Sequence, residues 1–171
     1  MVRVWDAFVR IAHWSLVVAV VASWLTRHGG GRLHEWLGYA ALAIVVARVV
    51  WGFVGPVTAR FRNFVRSAPE TLRYALLVGR SREARHLGHN PLGGWMIVAL
   101  LAMIAATALT GWLYTTPKYW GDATMEAVHG ACADALVVLV VLHLTGVALT
   151  SIRHRENLVA AMISGRKRDL P

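Results

Sequence analysis

The chain has 171 residues, of which 57% are hydrophobic and only 16% charged, and its mean hydropathy is +0.50. A soluble domain of this length does not reach such apolarity, so the composition predicts a bilayer as solvent, with room for one domain over residues 1–171 and no second, soluble one. The formal charge of +9 and the single cysteine, Cys132, exclude a disulfide framework and a thiolate metal centre, and the surplus cations suit the loops of a membrane protein better than a nucleic-acid partner.

In chain order, Arg3, Asp6, Arg10 and His13 precede and enter a first apolar run with no convincing small-residue cleavage site behind it. That run therefore reads as a retained span. Four segments are long enough to cross a hydrocarbon core about 30 Å thick at about 1.5 Å per residue: Ala7 to Thr26, Trp36 to Val54, Leu92 to Tyr114 and Ala127 to Ser151. The turn Arg27-His28-Gly29-Gly30-Gly31-Arg32 makes the first two antiparallel neighbours, and Thr116 to Glu126 joins the last two. Asn90 is placed to cap the third span, with Pro91 supplying a preset backbone angle in its first turn. The expected fold class is all-α, an integral membrane four-helix bundle.

The long connection from Gly55 to His89 holds seven arginines against Glu70 and Glu83, and apolar residues at helical spacing over Phe64 to Val78 suggest a helix lying in the interface. With Arg3, Arg10, Arg48 and the tail of Arg153, Arg155, Arg166, Lys167 and Arg168, one side carries 15 of the 18 basic residues. The positive-inside bias then puts both termini and the long loop in the cytoplasm. Tryptophans 5, 24, 36, 51, 95, 112 and 120 fall near the span ends, where membrane lipid would anchor them.

Metal-binding side chains are costly inside a bilayer and point to function by default. Four histidines lie within spans: His13 in the first, His34 opening the second, and His129 and His143 in the fourth. Positions 129 and 143 differ by 14 residues, which brings both imidazoles to within about 40° on one helix face and separates them by about 21 Å. With the orientation above, His13 shares the inner depth with His143, and His34 shares the outer depth with His129. Two level pairs suit bis-histidine coordination of two haems b, inner and outer, with both axial positions filled for one-electron transfer. A rise of about 21 Å rules out one shared zinc centre. The pairing is weighed against satisfied polar histidines or a proton relay in a cofactor-free transport or structural subunit.

Arg10 and Arg48, near the cytoplasmic ends of spans, are candidates for the haem propionates, with snorkelling to lipid phosphate as the alternative. Asp134 either relays protons or hydrogen-bonds near the outer surface. For a quinone headgroup the outer boundary offers Trp36, Trp112 and Lys118 beside His34 and His129, while the inner one offers Arg10, Arg48 and Trp51.

Several stretches together resemble the prokaryotic cytochrome b561 family, which includes the b-type cytochrome subunits of nickel-iron hydrogenases. They are Trp5-Asp6-Ala7-Phe8-Val9-Arg10-Ile11-Ala12-His13-Trp14, His34-Glu35-Trp36-Leu37-Gly38, Arg48-Val49-Val50-Trp51, Gly88-His89-Asn90-Pro91-Leu92-Gly93, and the pair His129 and His143. The resemblance runs from Trp5 to Arg168. It implies a dihaem protein of the bacterial inner membrane with His13, His34, His129 and His143 as iron ligands. Such a protein exchanges electrons between the quinone pool, as ubiquinone or menaquinone, and a periplasmic cytochrome c or other redox protein. Superoxide oxidation at Arg27, Arg32 and Lys118 is the rival reading, but Glu35, Asp122 and Glu126 cancel that charge. A hydrogenase partner is the other; the short glycine turn speaks against it, because that branch has longer loops.

Overall fold

Helices begin where a side chain answers the free N–H groups of the first turn, and three of the four long helices, α2 excepted, follow this rule. The computed structural model describes residues 1–29 and 31–169, so Gly30, in the middle of the expected turn, lies outside the described residues. A short strand β1 (Val2–Arg3) precedes α1 (Ala7–Thr26), where Asp6 Oδ1 accepts from the Val9 N–H at 3.0 Å. The second long helix, α2 (Arg32–Val54), starts one turn earlier than the apolar run, with Glu35 favourably placed in its first turn. It stops at Gly55, whose N–H closes on Trp51 O.

A 3-10 turn (Val57–Ala59) leads to α3 (Phe61–Phe64) and α4 (Ala68–Gly79). The continuous helix expected over Phe64 to Val78 is thus broken: Ser67 and Glu70 form a reciprocal capping box that starts α4 afresh. In α5 (Pro91–Tyr114), Asn90 Oδ1 accepts from the Gly93 N–H at 2.7 Å, as the sequence predicts. The longest helix, α6 (Ala123–Arg153), begins four residues before the expected Ala127, because Asp122 Oδ1 caps it through the Met125 N–H at 2.8 Å and the polar first turn escapes a hydropathy reading. His129 therefore sits in its second turn, not its first, and His34 lies just inside α2 rather than at its start. The chain closes with α7 (Leu158–Ser164) and β2 (Arg166–Lys167). The four long helices are each long and apolar enough to cross a membrane.

The residues group into two compact units, and each long helix contributes to both. The first comprises Met1–Arg10, Val50–Val98 and Val141–Pro171. Here β1 pairs antiparallel with β2, Val2 opposite Lys167, so the two termini share one side of the membrane, as an even number of spans requires. Val4, Trp5, Val9 and Ala59 form its core, with Trp51, Leu87 and Met162 packed on them. Gly165 ends α7 at φ 77°, and a Cβ there would stand 2.6 Å from Trp5 O, so only glycine serves both the turn and the strand contact. Gly94 likewise lets the Phe64 carbonyl reach α5.

Glu156 binds the tail in place, taking Arg85 Nη2 at 2.8 Å and Lys167 Nζ at 3.6 Å. Arg85 also donates to the Arg168 and Asp169 carbonyls. Burial by itself would raise the Glu156 carboxyl, but the hydrogen bond from Arg85 and the charges of Lys167 and Arg85 outweigh it and hold the group below the ordinary carboxylate range. Burial pushes Lys167 below the ordinary amine range despite Glu156, so the carboxylate clamped by two cations is the anchor of the cluster. The second unit comprises Ile11–Val49 and Ala99–Val140, with segments of all four long helices. Its buried positions are mostly small or branched, Ala12, Ala19, Ala41, Val45, Leu101, Ile104 and Leu136, which suits close helix contact in lipid.

Glu156→Gln leaves buried Lys167 and half-buried Arg85 without their anion and is expected to cost about 3 kcal/mol, whereas Lys167→Met is close to neutral because it replaces a buried charge by apolar bulk. Amide exchange at Val4, which donates to Gly165 O, reads the difference. The lowered Glu156 group contributes stability at neutral pH that is lost as pH falls through its folded value, so the same amide loses protection on acidification.

Candidate haem-binding site

The second unit brings together two of the four intramembrane histidines. His34, on α2, and His129, on α6, face each other with ring centroids 6.2 Å apart and planes at 88°. His34 Nδ1 lies 3.0 Å from Ser23 O and 3.4 Å from Thr26 Oγ1 at the end of α1. His129 Nδ1 repeats the arrangement on α5, 3.0 Å from Thr107 O and 3.3 Å from Thr110 Oγ1. Both threonine hydroxyls already donate to their own helix, to Ala22 O and Ala106 O.

A carbonyl oxygen only accepts, so each Nδ1 carries the proton and each Nε2 keeps its lone pair. This is the tautomer a metal needs, fixed by the partner that metal-ligating imidazoles commonly have. One metal between two imidazoles requires ring centres about 6 Å apart, from a bond of about 2 Å on each side and about 1 Å more to each ring centre; the observed 6.2 Å meets it. Among the described residues no group of three or more His, Cys, Asp or Glu converges on a metal position. Two imidazoles are too few for structural zinc, but they match a metal whose remaining ligands arrive with a macrocycle. On α5, Gly111 is part of the fit, since a Cβ there would stand 2.9 Å from His129 Cε1.

His13 is half-buried in the second turn of α1, its ring edge-on to Trp14 at 5.1 Å, and His143 is half-buried on the same helix as His129. Arg48 is buried on α2. Arg10 donates through Nη1 to Ile163 O and keeps Nε buried without a hydrogen-bond partner. Of the candidate quinone contacts, Trp36, Trp112 and Lys118 are each exposed, and among the described residues no hydrogen bond or ring contact joins the three. Trp36 packs on Tyr39, and Lys118 lies over Tyr119. Asp134 is exposed on α6.

The residues that sequence reading missed are those behind the histidines: the Ser23 and Thr107 carbonyls, Thr26, Thr110 and Gly111. A trace of them was present, because Thr107 and Thr110 are hydroxyls one turn apart inside an otherwise apolar span. In the first unit the Gly88-His89-Asn90-Pro91 element gains a role. The His89 ring packs between Trp5, at 4.4 Å, and Phe64, at 4.9 Å, while Asn90 starts α5, so the element joins the N-terminal segment to a span.

The family model described as prokaryotic cytochrome b561 matches residues 4–165. A protein named as a probable Ni/Fe-hydrogenase B-type cytochrome subunit, from Bradyrhizobium diazoefficiens, is 24% identical over 215 aligned positions that take in 97% of this chain and 85% of that protein. No solved structure matches. Family and helices together make this a multi-pass protein of the bacterial inner membrane, with haem b as the cofactor of its class and electron transfer as its work. The chain belongs to the prokaryotic cytochrome b561 family.

Proposed function

We propose that the protein is a dihaem cytochrome carrying electrons between the quinone pool and a periplasmic redox partner. The observation that carries this reading is the His34–His129 pair, held at the spacing of one metal with both Nδ1 atoms committed to carbonyls. His34 and His129 hold the outer haem; His13 and His143, level at the inner depth by their positions along α1 and α6, hold the inner one. Held by two imidazoles, haem b would supply one-electron redox chemistry with no position left for oxygen. The chain's part is to fix those imidazoles in the ligating tautomer, to keep the iron dry, and to neutralise propionates through Arg10 and Arg48.

Quinone is proposed to bind at the outer boundary near Trp36, Trp112 and Lys118, where aromatic walls and a cationic donor lie at the depth of His34 and His129. A hydrogenase as the outer partner is a second reading, favoured by the name of the Bradyrhizobium relative. Against it stands the short turn from Arg27 to Arg32. Stimulation of haem reduction by a purified nickel-iron hydrogenase under hydrogen, or by a reduced c-type cytochrome, separates the two.

Purified protein is expected to bind two non-covalent low-spin haems b per chain, since no Cys-x-x-Cys-His attachment sequence occurs. In reduced-minus-oxidised spectra, His34→Ala and His129→Ala lose one and the same haem, and His13→Ala and His143→Ala lose the other. A ratio near one, or His13 and His34 variants lacking the same centre, refutes the assignment. Gly111→Ala pushes the His129 ring off its carbonyl and should weaken retention of one haem about tenfold, the usual scale for disturbing a ligand's support. Lys118→Ala should slow quinone reduction while leaving both haem spectra intact; unchanged rates there, with slowed rates in Trp51→Ala, move quinone to the inner side.

A further inference from the structure

The long basic loop has a feature that electron transfer leaves unused. Both ends of α4 are tied to the ends of spans: Trp95 Nε1, early in α5, donates to Arg66 O at 2.9 Å just before the Ser67 cap, and Arg153 Nη1, at the end of α6, donates to Val78 O at 2.7 Å. A helix of 12 residues, about 18 Å long, is therefore fixed at the level where two spans leave the bilayer. Its inner face is settled, because Tyr74 is buried with its ring edge-on to His86 at 5.3 Å.

On the outer face Leu72 and Leu76 are 64% and 58% exposed. At 100° per residue, Arg73 and Arg80 fall within about 100° of these leucines, so two apolar side chains lie beside two cations. No ion pair among the described residues reaches either arginine. The carboxylate of Glu70, the acidic residue of α4, is spent on the N–H and hydroxyl of Ser67. In water this face would expose both leucines and leave the charge unanswered. The headgroup layer of the cytoplasmic leaflet answers both, since it joins acyl carbon to anionic phosphate.

We propose that α4 is an anionic-phospholipid-binding helix, with Leu72 and Leu76 set against acyl chains and Arg73 and Arg80 on lipid phosphates. Bidentate pairing with phosphate is what a guanidinium does better than an ammonium, and each arginine near an anionic surface strengthens partition roughly fivefold. Lipid binding by α4 is independent of the haem assignment. It rests on the positive-inside orientation and on the two hydrogen bonds that hold α4 at the interface.

The test uses haem-loaded protein in a Cys132→Ser background, with a nitroxide on Leu76→Cys, in vesicles of phosphatidylcholine alone or with phosphatidylglycerol added. Power-saturation spectroscopy compares collisions with oxygen, which concentrates in lipid, and with a water-soluble nickel chelate. Oxygen should dominate when phosphatidylglycerol is present and less so without it, and Arg73→Gln with Arg80→Gln should abolish that difference. Unchanged haem spectra certify the fold, and a label on Leu72→Cys gives the same reading if the first variant loses haem. A nickel chelate that dominates in both vesicle types, or a label shielded only when a cytosolic protein is added, overturns the proposal.

Discussion

An imidazole inside a bilayer needs its Nδ1 proton taken by something, and in the His34–His129 pair a backbone carbonyl of a neighbouring helix takes it. The geometry of the site depends on this hydrogen bond. The Ser23 carbonyl lies in the last turn of α1, where it accepts from the Thr26 hydroxyl at 3.2 Å and from His34 Nδ1 at 3.0 Å, so His34 adds a second partner at a helix end that has run out of N–H donors. On α5, Thr107 sits mid-helix, and its carbonyl accepts a second bond while the Thr110 hydroxyl supports the same nitrogen. Each histidine is therefore oriented by a helix other than its own, which joins α1 with α2 and α5 with α6 beside the facing imidazoles.

The other unit solves a different problem. Two chain ends and a long arginine-rich loop leave the membrane on one side, and each must be held without a large apolar core. Glycine at 165 lets the Trp5 carbonyl, just after β1, lie against the end of α7, and His89 packs between Trp5 and Phe64. Glu156 gathers Arg85 and Lys167, and Glu83 takes Arg153 at 3.0 Å. The positive surplus thus does more than orient the spans: part of it is built into the structure that closes their inner ends, and part remains outward-facing on α4.

Much of this was legible in the residues. Spans show in hydropathy, the cap at Asn90 shows as a short polar side chain ahead of an apolar run, and the outer pairing of His34 with His129 follows from orientation and helical rise alone. Less legible was anything set by contact between helices. The early start of α6 depends on Asp122, which reads as an ordinary loop residue. The carbonyls behind the histidines carry no sequence signal, because every residue has one. Gly111 reads as a neutral residue near the end of an apolar helix until the His129 ring is seen against it. The expected helix from Phe64 to Val78 was right in its amphipathic character and wrong in its continuity, since periodicity does not register a Ser67 cap within the run.

The proposed electron-transfer role rests on His34 and His129 ligating one iron with their planes crossed. Electron paramagnetic resonance of the oxidised, fully haem-loaded protein tests this ligation most directly, because crossed imidazole planes, 88° apart here, give a highly anisotropic low-spin ferric signal. That signal should be present in the wild type and missing from His129→Ala. A high-spin axial signal from the wild-type protein at full haem occupancy would mean an open coordination position, and would contradict the ligation by His34 and His129.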